Sequence, residues 1–213
     1  MAANVFTATA DGVTFTVKNS TQGALSNQSI LVFLTPQTAQ TSYLYAAWQN
    51  LQPGDGASAK FNLTNTISAS VTNDQYTSNT VVIPLQNVSD ITSSNNASPT
   101  LGTPYYAPTV VTAAQQGLVN KSTVAAYPQW FVNGNLMCQG NNTITNGGTS
   151  TFALLTTLYW YVGEYVATTT YQYQNISAQT AYVVPTGVAS VTVTVTKDTT
   201  ANKFIFSFNP PSA

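Results

Sequence analysis

Apolar side chains at every second position, in several separate segments, are the feature that most constrains the fold of this chain. The alternation is clearest along 13–17 and again along 191–195, where valine and phenylalanine alternate with threonine. Successive side chains of a β-strand point to opposite faces, so this period gives each segment one apolar face. Both segments are therefore predicted to be strands that turn one face toward a hydrophobic core.

Further segments combine β-branched and aromatic residues with short apolar runs, and glycine, proline or asparagine separates many of them. These segments are predicted strands: 29–34, 43–49, 57–63, 67–71, 80–85, 109–112, 129–132, 151–161, 168–174 and 182–184. No sustained helical period is present, and 113–119 is the only weak helical candidate. The chain is thus predicted to be all-β, as an antiparallel β-sandwich or a jelly-roll-like fold.

Both ends of the chain are predicted to be hairpins. The segment 5–10 would pair with 13–17 through Asp11-Gly12, a dipeptide that tolerates the positive φ of a tight turn. Near the other end, 191–195 would pair with 204–208, in which phenylalanine recurs at alternate positions. The fold therefore begins and ends with local antiparallel pairs.

A segment rich in serine, asparagine, proline and threonine, 89–108, divides the chain near its middle. We interpret it as a long crossover loop within a single sandwich domain that spans 1–213. The alternative is a linker that joins two small β domains, 1–88 and 109–213. The single domain is favoured because each half alone would have a thin core.

Charged residues make up only 5% of the chain, whereas ordinary soluble domains carry about 25%. Five basic residues cannot neutralise a run of phosphates, so nucleic acid is not an expected partner. No stretch reaches the roughly 18 consecutive apolar residues that a membrane-spanning helix needs. Because so few residues are charged, threonine, asparagine, serine and glutamine are expected to cover most of the surface.

The chain has no histidine, which removes the commonest general base and metal ligand. Four of its acids are placed in predicted turns, and the single cysteine, Cys138, lacks a histidine or arginine that could activate it. The acids are Asp11, Asp55, Asp74, Asp90, Asp198 and Glu164. We therefore expect no enzyme, and we assign no catalytic, metal-binding or cofactor-binding residue.

Aromatic residues beside amide side chains suggest a neutral glycan site. Trp130 precedes Asn133 and Asn135 closely, and Tyr105 and Tyr106 form a second aromatic pair. Such rings can stack on sugars while the amides form hydrogen bonds with sugar hydroxyls. The competing interpretation is cross-strand aromatic packing within the protein, which we favour for any single cluster.

The aromatic stretch YWYVGEY occupies 159–165, and a Val/Thr-rich stretch occupies 190–195. Four shorter stretches contribute to the same resemblance: 31–33, 45–48, 175–177 and 184–188. Together these stretches resemble a family of small all-β proteins that includes a rhizosphere-expressed bacterial protein. The resemblance implies an abundant all-β protein and carries over no site residues.

Two functions follow as hypotheses. The first is a structural protein that associates with copies of itself into a filament, coat or crystalline assembly, because few charges protect its sheet edges from pairing. The alternative is a lectin-like module that binds carbohydrate through the tryptophan, tyrosine and amide residues named above. The compartment is left open: an extracellular or cell-surface location is suspected, although no secretory signal is visible.

Overall fold

One strand that is buried on both faces organises the fold. In the computed structural model, which describes residues 12–37, 40–94, 97–167 and 169–212, every residue of Ser29–Pro36 is buried. A continuous apolar run leaves no face for water, so such a strand needs a packed layer on each side. The sheet that contains it accordingly lies between two other sheets.

The described residues form short strands and very little helix. Besides a 3-10 turn at Gln40–Ser42 and the helix α1 (Tyr173–Ser177), the elements are β1 (Val13–Ser20), β2 (Ser29–Pro36), β3 (Tyr43–Tyr45), β4 (Gln49–Leu51), β5 (Ser58–Leu63), β6 (Ile67–Thr72), β7 (Val81–Val82), β8 (Asn87–Ser94), β9 (Ser98–Leu101), β10 (Tyr105–Tyr106), β11 (Gln116–Asn120), β12 (Tyr127–Val132), β13 (Asn135–Gly140), β14 (Thr149–Phe152), β15 (Leu154–Gly163), β16 (Tyr171–Gln172), β17 (Thr180–Val183), β18 (Ser190–Asp198) and β19 (Lys203–Asn209). None of the helical segments in the described ranges is long and apolar enough to cross a membrane.

These strands form four sheets. Sheet I has the order β19-β18-β1-β5, and sheet II has the order β17-β15-β2-β4. Sheet III has the order β16-β3-β13-β12-β6-β7. Sheet IV has the order β10-β8-β11-β14, and β9 pairs with β8 beside it. The predicted all-β sandwich class is confirmed.

Aromatic side chains join sheets I and II. The ring centroid of Trp160 on β15 lies 6.0 Å from that of Phe15 on β1 and 5.7 Å from that of Phe208 on β19. Tyr182 on β17 stacks on Phe208 with centroids 4.3 Å apart. Buried aromatic pairs of this kind add about 0.5–1.5 kcal/mol each beyond the burial of their area.

The opposite face of sheet II packs on sheet III, and sheet III packs on sheet IV. Phe33 of β2 meets the edge of Tyr171 of β16, with centroids 5.0 Å apart. Trp130 of β12 stacks on Phe152 of β14 at 4.8 Å. One continuous set of buried residues therefore runs through all four sheets.

Most ladders are antiparallel, but β1 pairs in parallel with β18, and β8 pairs in parallel with β11. The predicted C-terminal hairpin is confirmed, because β18 and β19 form an antiparallel ladder in which Val193 lies opposite Phe208. The first strand of the predicted N-terminal hairpin, 5–10, lies outside the described residues, so this hairpin stays a prediction. The partners of β1 within the described ranges are β18 and β5.

The prediction of a loop at 89–108 is wrong. Most of β8 and all of β9 and β10 lie in this segment, and β8 pairs with β11 from the second half of the chain. The hairpin between β8 and β9 is held by polar pairs, such as Thr92 and Thr100 with their hydroxyl oxygens 2.8 Å apart. Whether the chain forms one domain or two stays a prediction.

Several predicted elements also differ in their bounds. The helical candidate 113–119 is wrong, because β11 occupies much of it and pairs on both sides with β8 and β14. The predicted strand 109–112 is a turn that places Val111 on Val88. The segments 43–49, 151–161 and 168–174 are each divided between two elements: β3 and β4, β14 and β15, and β16 and α1.

Candidate functional site

The residues predicted to bind glycan do not form one site. Trp130 is completely buried and stacks on Phe152, so the prediction that its ring serves as a sugar platform is wrong. Asn133 and the following glycine have φ values of 51° and 79° in the turn between β12 and β13. The Asn133 amide donates a hydrogen bond to the carbonyl oxygen of Asn62 at 2.7 Å, while Asn135 is exposed.

The two other predicted residues, Tyr105 and Tyr106, lie on β10 in sheet IV, whereas Trp130 belongs to sheet III. The Tyr105 hydroxyl donates a hydrogen bond to Asp90 Oδ1 at 2.9 Å. Lys121 Nζ lies 2.6 Å from Asp90 Oδ2 and 5.5 Å from the centre of the Tyr105 ring. The hydrogen bond from Lys121 to Asp90 raises the pKa of the lysine. These contacts hold Tyr105 against β8, and Tyr106 is left 65% exposed.

The structure also places the acidic residues and the cysteine that were candidates for catalysis or metal binding. Asp198 Oδ1 accepts hydrogen bonds from the backbone N–H groups of Thr200 and Ala201, both at 2.9 Å, as expected for a turn. Glu164 is exposed. Cys138 is completely buried, and this burial raises the pKa of its thiol well above the usual value. In the described part of the chain, no three acidic or cysteine side chains gather where they could hold a metal ion.

The strand β19 is an open edge of sheet I. It pairs with β18 on one side and has no strand on the other side among the described residues. Its exposure alternates along all seven residues, since Phe204, Phe206 and Phe208 are half-buried against the core and the residues between them are exposed. Ile205 is 39% exposed. Unpaired backbone N–H and C=O groups on such an edge can accept another strand.

The outer face of sheet I is covered mainly by hydroxyl side chains. In the parallel ladder Thr16 lies opposite Thr192, and in the C-terminal hairpin Thr194 lies opposite Ser207. Because side chains alternate between faces, these residues share the surface that points away from sheet II. The same face also carries charge, at Lys18, Lys60, Asp198 and Lys203.

Sheet II has an open edge on the same side as β19. Its last strand is β17, and a groove between β17 and β19 is lined by Gln179, Thr180, Lys203, Phe204, Phe206 and the β15 residues Trp160, Tyr161 and Val162. The chain beyond β19 reaches part of the β17 edge, because the backbone N–H of Val183 donates to Ser212 Oγ at 2.9 Å.

Comparison of the chain with protein-family models, with curated protein sequences and with solved structures finds no match. The resemblance to the family of small all-β proteins therefore stays a prediction. The geometry of the sheets and grooves is the basis for the function proposed below.

No local sequence pattern distinguishes the open edge or the groove. The alternation along 204–208 predicts a strand but does not say whether that strand is central or at an edge. The stretch at 159–165 stands out by its aromatic content, yet its two faces are both apolar. Only the stacking of sheets I, II and III determines that Trp160 faces inward while Tyr161 is partly exposed.

Proposed function

We propose that this protein is a non-enzymatic structural subunit that associates with copies of itself through the open edge of β19. The observation that carries the proposal is that this edge is seven residues long and has one charged residue, Lys203, at its very start. Natural sheet proteins protect exposed edges with lysines, prolines, bulges or covering loops. Here the five residues in the middle, from Phe204 to Phe208, carry none of these side-chain protections.

The edge is also complementary to itself. If two copies pair antiparallel about a two-fold axis at Phe206, Phe204 of each copy lies opposite Phe208 of the other, and Ile205 lies opposite Ser207. Lys203 then lies opposite Asn209, so no two like charges face each other. Pro210 follows and has no N–H to donate, which ends the ladder there. Such a two-fold contact uses the same patch on both copies.

The neutral surface favours close packing of subunits. Burying an ion is costly unless it is paired, whereas threonine and asparagine carry no charge that must be desolvated. Since a two-fold contact closes on itself, a filament, coat or crystal needs a second contact. We propose that the threonine and serine side chains on the outer face of sheet I, among which Lys18 and Lys60 also lie, supply it. Association through the uncharged middle of β19 is expected to change little with salt concentration.

The test is a single charge placed in the middle of the edge. The variant Ile205→Lys puts a lysine on an exposed side chain of β19 and leaves the half-buried phenylalanines in place. The matched control, Asn135→Lys, adds the same charge at the exposed start of β13. Light scattering after size-exclusion chromatography, over a wide range of protein concentration, gives the mass of each variant.

We expect the mass of the wild-type protein and of Asn135→Lys to rise with concentration, while Ile205→Lys stays monomeric. Electron microscopy of the wild-type protein is then expected to show ordered assemblies at high concentration. A wild-type protein that stays monomeric at every concentration refutes the proposal. Equal association of the wild type and Ile205→Lys refutes the assignment of the contact to β19.

A further inference from the structure

Tyr161 forms an aromatic ridge between two grooves. It is 39% exposed, and it lines the groove between β17 and β19 as well as a second groove beside α1. The second groove is also lined by Phe33, Tyr171 and Asn175. Gln179 lines both grooves, so one amide side chain can reach a ligand on either side of the ridge.

The position of the Tyr161 ring depends on a glycine two residues later. A β-carbon added at Gly163 would overlap Tyr161 Cε1 and would lie 2.9 Å from Cζ. Distances under about 3 Å are not tolerated between such atoms, so the ring occupies space that only glycine leaves open. The ring is thus held along its own strand, with part of its surface accessible to a ligand.

Further phenol and amide groups surround the ridge. Tyr161 and Tyr171 line the second groove together, and burial raises the pKa of Tyr171, with a smaller contribution from the phenols of Tyr161 and Tyr165. Gln179 Nε2 donates to the carbonyl oxygen of Asn175 at 2.9 Å. This bond fixes the orientation of the amide and leaves its oxygen available as an acceptor.

A buried donor adjoins the same place. Trp160 lines the groove between β17 and β19, is completely buried, and has no hydrogen-bond acceptor for its indole N–H among the described residues. Such groups in proteins call for a specific explanation. The indole lies on the face of β15 opposite to Tyr161, so this donor belongs to the packed layer beneath the groove.

We propose that the Tyr161 ridge binds a neutral oligosaccharide. A pyranose ring has an apolar face of C–H groups, which can stack on a tyrosine, and a rim of hydroxyls, which can hydrogen-bond to amides and phenols. Pockets for small ligands combine apolar walls with a few fixed polar groups in this way. Among the residues that the structure describes, Lys203 is the one charged residue that lines either groove, so an anionic sugar would find little compensating charge. The groove between β17 and β19 shares Lys203, Phe204 and Phe206 with the strand proposed for self-association, whereas the groove beside α1 shares none of its residues.

The test uses neutral hexasaccharides of glucose, mannose and N-acetylglucosamine as probes, titrated into the protein and followed by calorimetry. We expect saturable binding of at least one probe, with an affinity that is unchanged between low and high salt. Tyr161→Ala is expected to weaken binding about tenfold or more, because it removes the ring on which the sugar stacks; tenfold corresponds to about 1.4 kcal/mol. Tyr106→Ala, which removes another exposed tyrosine on a different sheet, is expected to leave binding unchanged.

A second variant keeps the tyrosine but displaces it. Gly163→Ala is expected to weaken binding while circular dichroism still reports a folded β protein. The variant Ile205→Lys, which stays monomeric, is expected to bind the probes at least as tightly as the wild type, since no second copy then lies beside the groove; binding by this variant separates the proposal from self-association. Absence of saturable binding to all three probes overturns the proposal. Binding that survives Tyr161→Ala, or that Tyr106→Ala weakens equally, overturns it too.

Discussion

The buried thiol of Cys138, in a chain without histidine, predicts a specific dependence of stability on pH. Without histidine, the ordinary pKa values of the side chains present all lie outside the range from about pH 6 to pH 8. The free energy of unfolding should therefore not change with pH in this range. In the unfolded chain the thiol has a pKa of about 8.5, whereas burial raises it well above its usual value in the native state. Stability should therefore begin to fall above about pH 8.5.

The sign and size follow from proton linkage. Above pH 8.5 the unfolded chain loses the thiol proton and the native protein keeps it, so the unfolded state binds fewer protons and rising pH favours unfolding. While the native thiol keeps its proton, the loss in free energy of unfolding between pH 8 and pH 10 is about 2 kcal/mol. Tyrosines with raised pKa values add to the loss as the unfolded phenols ionise, by about 0.4 kcal/mol each at pH 10.

The measurement is urea denaturation of the wild type and of Cys138→Ala from pH 6 to pH 10, followed by tryptophan fluorescence in the presence of a reductant. The variant is expected to be less stable at neutral pH because it leaves a small cavity, but between pH 8 and pH 10 it should lose less stability than the wild type does. The difference between the two proteins should therefore shrink by about 2 kcal/mol from pH 8 to pH 10. Parallel profiles would refute the reasoning, because they would mean that the native thiol ionises as readily as the unfolded one.

Two further substitutions test contacts that the fold depends on. Burial raises the pKa of Tyr182 to about 12, so Tyr182→Phe should reduce the loss of stability between pH 10 and pH 12 by about 2 kcal/mol in urea denaturation; an unchanged slope would contradict this. The buried amide of Asn120 donates to the carbonyl oxygens of Val124 and Ile144 and accepts from Ser122. Asn120→Ala should therefore lower the free energy of unfolding by about 2–4 kcal/mol. Asn135→Ala, at an exposed position, should lower it by less than about 0.5 kcal/mol.

The sequence predicts the strands whose burial follows a local pattern. β1 and β18 show their alternation directly, because one face of each meets the core and the other carries threonine. β2 is equally evident as an uninterrupted apolar run. The all-β class and the C-terminal hairpin follow from these segments, since adjacent strands with a short turn pair locally.

The β8–β9 hairpin shows why part of the fold could not be predicted. Its residues lack apolar alternation, and hydroxyl groups support it instead: Ser89 is buried and donates to the carbonyl oxygen of Gly102 at 2.7 Å. Such bonds are visible only once both strands are placed. The parallel pairing of β1 with β18 is likewise a contact between distant segments, and no local pattern specifies it.

The candidate binding residues were the hardest part to predict. Trp130 and Tyr161 both lie in aromatic strands, and neither composition nor spacing shows which ring is accessible. Trp130 is covered by Phe152 from another sheet, whereas Tyr161 remains accessible because Gly163 leaves room beside it. Exposure here is a property of how the layers stack, so it could not be read from one strand.

The parallel ladder between β1 and β18 also affects synthesis of the chain on the ribosome. Its paired residues, such as Thr14 and Ser190, are 176 positions apart, so β1 emerges long before its partner is translated. At about 5–20 residues per second this interval lasts roughly 9–35 s. During that time a nascent valine- and phenylalanine-bearing strand stays without its neighbour, which makes it a natural target for a chaperone that binds short extended apolar segments.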